Sequence, residues 1–314
     1  MSSLSKKIIF ILLISTALYY SFTYLAVFSK ANPYRKTSAR PQIAFRPKQY
    51  LCLKTTQKIR LDGKLDEKIW QTTPFSEFFV DTKTGKISHT THLKMLWDEQ
   101  YCYLALVSDK TKKPTISLFL DYKNNATDYL QISLENEKVI QKLFNKTPQN
   151  GGEADQQWLG EQVFVKIHTN KTQQTWEIKI PIPKNRPIFQ KYWRFNVQQA
   201  QFSWSPQGID DMHFPEMWGF VYFDEKKIPL PHFYQSPDEQ SKWQLREVFY
   251  AQNAFYLENN KFTSRKSELH LPIETQKQGI IIEATQHLFE ARLKSSTGKT
   301  WAISQEGKVW HINP

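Results

Sequence analysis

The stretch Ser203–Phe223, SWSPQGIDDMHFPEMWGFVYF, governs how the rest of the chain is read. Its last seven residues, Met217-Trp-Gly-Phe-Val-Tyr-Phe223, form a short apolar run, the pattern of a buried β-strand. Pro206, Gly208 and Pro215 forbid regular structure in the residues before that strand. A long loop leading into a buried strand needs a rigid scaffold, and such loops often carry function. Trp204 and Trp218 therefore have two readings. They cap a hydrophobic core, or they offer indole faces to a ligand.

Outward from this stretch the chain keeps a period of two. Trp193, Phe195 and Val197 alternate with Arg194, Asn196 and Gln198. The polar row is either a solvated sheet face or the lining of a concave ligand face. Trp176, Ile178 and Ile180 are placed inward, Glu177 and Lys179 outward, until Pro181 and Pro183 end the strand. Tyr101–Ser108 is apolar on both faces, which marks a central strand. It forms a hairpin with His89–Trp97 through Asp98-Glu99-Gln100, and Thr115–Asp121 pairs with Asp128–Leu134 around Lys123-Asn124-Asn125. His89 and His92 fall on opposite faces of their strand, a poor arrangement for a shared metal. Upstream, Tyr50–Thr56 is a first strand, Asp62-Gly63 a turn, and Asp66 the cap of a helical turn ending at Trp70. Downstream, a Pro-rich connector leads to an amphipathic helix over Asp238–Leu257. Four short strands follow, with turns at Thr297-Gly298 and Glu306-Gly307.

The net charge of +12 has the size of a nucleic-acid footprint, but its distribution excludes one. Eleven of the 42 basic residues precede Asp62, the first acidic residue, leaving 31 basic against 30 acidic in the body of the chain. Ile8–Phe28 is an uncharged run of 21 residues behind Lys6-Lys7, long enough to cross a bilayer and longer than the apolar centre of a cleaved signal. An uncleaved anchor is favoured over a removed signal peptide. The globular part is then placed outside the membrane, in the periplasm or extracellular space, with secretion as the alternative. Two cysteines, Cys52 and Cys102, are too few for a disulfide framework and are read as buried thiols, with a single bridge between them as the alternative. The expected divisions are a membrane segment over 1–30, a basic Pro-containing linker over 31–49, a β domain over 50–226, a connector over 227–239, and a helix with a small sheet over 240–314.

Six segments, taken in order, resemble family 9 carbohydrate-binding modules. They are Ile59-Arg-Leu-Asp-Gly-Lys-Leu-Asp-Glu-Lys-Ile-Trp70, Thr91-His-Leu-Lys-Met-Leu-Trp-Asp-Glu-Gln-Tyr-Cys-Tyr103, Phe119-Leu-Asp121, Trp176-Glu-Ile-Lys-Ile-Pro181, Trp193-Arg-Phe-Asn196 and the opening stretch itself. The resemblance spans about residues 50 to 224. It implies an all-β fold, an antiparallel, jelly-roll-like β-sandwich that binds polysaccharide or oligosaccharide and often accompanies glycan-degrading enzymes. In the sugar-binding members two tryptophans clamp a ring. Here the connection Lys110–Thr115 holds no Trp, and the second clamp position falls on Met212. Gln199 stands where the family often has Arg. The fold carries over and the clamp does not, so the expected platform moves to Trp204 and Trp218. His213 and Glu216 serve as hydrogen-bonding partners, and Arg194 and Asn196 come from the polar row.

Non-catalytic carbohydrate binding at the cell envelope is the leading expectation. The alternatives are an assembly protein that kept the sandwich and lost its sugar site, and a glycoside hydrolase. For the hydrolase, Asp121, Asp210, Asp211, Glu216 and Asp224 are available, yet no spacing singles out a pair. Met212 and His213 are adjacent, which suits them poorly as haem ligands. No cofactor and no metal is expected.

Overall fold

The computed structural model describes residues 40–87, 90–110, 115–145, 154–155, 162–182, 192–225 and 237–313. The expected membrane segment at residues 8–28 lies outside them, as does most of the connector after the sandwich. Among the described residues no helix is long and apolar enough to cross a membrane.

The first thirteen strands are β1 (Gln49–Lys54), β2 (Val80–Asp81), β3 (His92–Trp97), β4 (Tyr101–Asp109), β5 (Thr115–Asp121), β6 (Tyr129–Glu135), β7 (Lys138–Phe144), β8 (Ala154–Asp155), β9 (Phe164–Thr169), β10 (Gln173–Pro181), β11 (Tyr192–Gln199), β12 (Phe202–Ser203) and β13 (Gly219–Asp224). They form one sheet in the order β8-β7-β6-β5-β11-β13-β1-β3-β4-β10-β9, with β12 bridging β11 and β2. The expected purely antiparallel arrangement is corrected here. β1 runs parallel to both of its neighbours, pairing Gln49–Leu53 with Phe220–Asp224 and Leu53-Lys54 with Leu96-Trp97. Side chains alternate identically in parallel and antiparallel strands, so direction leaves no trace in the hydrophobic pattern.

The two-residue junction between β1 and β3 links the halves of the sheet. One core contains Leu118, Ile132, Phe195 and Val221 from one half and Leu93, Leu104, Trp176 and Ile178 from the other. The sheet is thus rolled on itself, nearly barrel-shaped, with its apolar rows turned inward. Cys52 and Cys102 lie in this core as buried free thiols.

β4 is central, between β3 and β10, and both its faces are covered. Its outer face, Tyr103 and Ala105, packs with Ile59 and Trp70. Trp70 comes from the short helix α1 (Lys68–Thr72). Glu177, expected to face solvent, is wholly buried beneath this segment. Its carboxylate accepts the N–H groups of Asp62 and Gly63 and the Trp70 indole N–H, each at 3.0 Å. Burial pushes its pKa up, against the pull of those three donors. Gly63 is required at this turn. Its φ is +82°, and an added Cβ would meet the backbone of His168 at 2.7 Å.

The C-terminal unit is helix α2 (Pro237–Asn259), a short helix α3 (Ile273–Gln276), and the antiparallel sheet β14 (Ile281–Ala284), β15 (Phe289–Lys294), β16 (Thr300–Ser304) and β17 (Val309–Ile312). α2 is buried on most of its circumference rather than on one stripe. One side meets the small sheet, and its core also takes in Phe214 and Met217 from the sandwich's last loop, with Ile43 and Phe45 packed against it. Within the expected linker, Ile43 and Phe45 are therefore packed, while Gln42, Ala44 and Arg46 stay exposed. Gln42 N–H bonds to Gly208 O, and Phe45 stacks on Trp243 at 4.8 Å.

Candidate ligand site

The residues proposed from the sequence separate into two groups. Trp204 is 1% exposed and Trp218 0% exposed, so neither offers a face to a sugar ring. Trp204 belongs to the main core, beside Phe195. It lies so close to Gly219 that an added Cβ would stand 2.5 Å from its ring. Trp218 packs with Phe119, Tyr129, Phe144 and Met212, and its indole N–H donates to Met212 O at 2.8 Å. Met212, the expected counterpart of a clamp tryptophan, is buried. His213 is half-buried, with its ring nitrogen 2.5 Å from Tyr129 Oη. Burial lowers its pKa, and Asp211 opposes the shift.

Asn196 is fully buried and serves the loop itself. Its Oδ1 accepts the N–H of Ser205 at 2.9 Å, and its Nδ2 donates to Ser205 O at 2.8 Å. The expected polar row on β11 is therefore no solvated face at Asn196 and Arg194, because the Ser203–Met217 loop covers the one and α2 meets the other. Gln199 likewise bridges elements, accepting from Thr91 Oγ1 at 2.7 Å and donating to Ser108 Oγ at 3.3 Å.

Arg194 and Glu216 do meet a cavity. It holds about 430 Å³ and lies where the sandwich meets the C-terminal unit. The sandwich contributes Phe45, Tyr192, Arg194, Glu216 and the turn Lys123–Ala126. α2 contributes Asp238, Glu239, Lys242, Trp243 and Arg246, and the small sheet adds Lys299, Trp301 and Val309. Lys123 and Lys299 reach solvent, and Trp301 does so in part.

Most of these charges are matched. Arg194 pairs with Glu239, and its Nη1 donates to Glu216 O at 3.0 Å and Pro215 O at 3.4 Å. Glu239 also meets Lys242 at 2.7 Å and accepts from Tyr192 Oη at 3.2 Å. Burial pushes the Glu239 carboxyl upward, but Arg194 and Lys242 outweigh it and hold the pKa below its ordinary value. Tyr250 Oη donates to Glu216. Asp238 lies 3.5 Å from Lys299 and accepts from Ser295 and Thr297 hydroxyls at 2.6 Å.

Asp121, at the end of β5, shapes the sandwich wall. It is fully buried, and its Oδ2 accepts the Ala126 N–H at 2.7 Å. That bond closes a turn in which Asn124 and Ala126 both adopt positive φ, at 55° and 57°. Burial raises the Asp121 pKa to about 6, against the Ala126 N–H and Arg194. A carboxyl raised in the fold keeps its proton longer than in the unfolded chain, so stability falls as pH climbs from about 4 to about 6. The loss approaches ~3 kcal/mol for a shift of this size. Asp121→Asn removes that slope. Urea midpoints measured from pH 4 to 7.5 are expected to converge with wild type at the acid end and to gain on it above pH 6. Parallel curves would rule the assignment out.

The sequence reading missed the α2 and small-sheet residues, because nothing local links a C-terminal helix to the β5–β6 turn. It also missed a second aromatic group. His92 stacks on Phe75 (3.8 Å) and on Phe78 (5.1 Å), and both phenylalanines reach solvent. Among the described residues no group of His, Cys, Asp and Glu is placed to hold a metal.

No protein-family model matches the chain, and no curated protein matches it in sequence. Among solved structures, the chain is similar to two family 9 carbohydrate-binding modules and to a further candidate carbohydrate-binding protein. One from Caldicellulosiruptor kristjanssonii in complex with cellotriose is 13% identical with a TM-score of 0.41, covering 59% of this chain and 100% of that one. The same organism's module with glucose aligns at 12% identity, a TM-score of 0.41 and the same coverage. A candidate carbohydrate-binding protein from Bacteroides uniformis aligns at 13% identity and a TM-score of 0.39, over 57% of this chain and 100% of that one.

Proposed function

We propose that this chain binds a saccharide without cleaving it, in the cavity between the sandwich and the C-terminal unit. The observation that carries this is the lining. Rings of Phe45, Tyr192, Trp243 and Trp301 stand with charged side chains around about 430 Å³, within the roughly 300–1,000 Å³ of small-molecule sites. Aromatic walls suit the C–H faces of a sugar, and polar groups beside them suit its hydroxyls. A hydrolase needs one carboxyl held protonated near neutral pH as general acid. Glu239 is held in the opposite direction, and Glu216 is occupied by Tyr250.

The envelope placement extends the same reading. Residues 8–28 act as the tether, and the globular part holds glycan outside the membrane, alone or in support of enzymes that break it down. A second reading, an assembly protein, is favoured by the burial of Trp204 and Trp218. A glycan array probed with the purified chain, followed by calorimetry on the hits, separates the two. At least one glycan class is expected to bind, with Trp301→Ala weakening it about tenfold, the loss of one aromatic contact of ~1.4 kcal/mol. An array with no retained glycan would remove the saccharide reading and leave the assembly role.

A further inference from the structure

Among the described residues, one cation of the cavity has no carboxylate bonded to it. Arg194, Lys242 and Lys299 have carboxylate partners there, and Lys123 meets Asp128. Arg246 is 4% exposed and has no ion pair, and its Nη2 has no hydrogen-bond partner among the described residues. A buried guanidinium left unmatched is costly, by several kcal/mol. Its planar fork fits the paired oxygens of a carboxylate or sulfate better than any neutral group. From the sandwich side of the same cavity, Asn124 Oδ1 is also buried without a donor. It sits at positive φ in the turn that Asp121 closes. Arg246 thus lacks a bonded anion, with the Glu216 carboxylate held by Tyr250 instead, and Asn124 lacks a hydroxyl or amide donor.

We propose that the cavity is built for an acidic saccharide, with the sugar's anionic group on Arg246 and a sugar hydroxyl donating to Asn124. This rests on the saccharide reading above and narrows it to a charge class. The uncharged surroundings of a neutral oligosaccharide would leave Arg246 as desolvated as it is in the free protein, with no return for that burial.

The test uses the whole purified chain and three probes: trigalacturonate, a sulfated disaccharide and cellotriose. Calorimetry is expected to show at least one acidic probe binding at least tenfold more tightly than cellotriose. Which acidic probe wins identifies a carboxylate or a sulfate as the natural group. Arg246→Met is expected to lower acidic binding at least tenfold, to leave any cellotriose binding unchanged, and to keep or raise Tm. Asn124→Gly, which suits the left-handed backbone, is expected to weaken acidic binding severalfold without altering the fold. Equal affinity for cellotriose and the acidic probes overturns the charge assignment while the saccharide reading stands. So does acidic binding untouched by both variants. If none of the three probes binds and the glycan array is also blank, both readings fall together.

Discussion

Arg194→Ala is expected to lower the stability of the chain by about 3–5 kcal/mol, the range for breaking a buried ion pair from one side. A fall in Tm on the order of 10 °C follows for a chain of this size. Arg194 is 3% exposed and Glu239 is fully buried, so neither can turn to water when its partner is lost. Arg194 also holds the carbonyls of Pro215 and Glu216 and lies over the Phe220 ring at 4.9 Å. It therefore ties β11, the last loop and α2 together in one place. Removing both partners, as Arg194→Met with Glu239→Leu, is expected to recover part of the loss, because neither member of the pair is left buried without the other. Denaturation of the two single variants and the double variant closes the cycle. Additive losses would show that the pair has no specific coupling.

Trp204→Ala is expected to cost about 3–5 kcal/mol through the cavity it opens in the main core. Trp204→Phe is expected to cost less, since the smaller ring keeps part of the packing against Phe195 and the space over Gly219. The comparison of stability with ligand affinity is the decisive one. A tryptophan serving as an exposed sugar platform would lose affinity on substitution and leave Tm nearly unchanged. Its burial predicts the reverse, a large fall in Tm with any surviving folded fraction binding normally. Thermal denaturation set beside calorimetry on the same variant distinguishes these outcomes, and an unchanged Tm would return Trp204 to the surface.

Much of the β framework was legible because its elements are local. The hairpin β3–β4 around Asp98, the pair β5–β6 around Asn124-Asn125, and the four C-terminal strands all follow from alternation broken by turn residues. The apolar double face of β4 was legible for the same reason, and the segment ending at Trp70 is what covers it. The fates of Glu177, Arg194 and Asn196 were not legible. Each is a polar residue in an alternating strand, and the pattern is the same whether water, a loop or a ligand lies over it. All three proved to be anchors for other segments: Glu177 for the turn at Gly63, Asn196 for the loop at Ser205, and Arg194 for α2.

By itself, then, the sequence determined most of the longer strands, though not β7, together with the turns between them, the near-neutral body of the chain and the helix that follows it. These depend on residues a few positions apart, whose spacing is written in the chain. The tertiary structure alone decided the parallel entry of β1, the burial of both loop tryptophans, and the cavity that brings Asn124 and Arg246 to one space across 122 residues. Those features arise where surfaces from distant segments exclude water together, and no local pattern records which surfaces will meet.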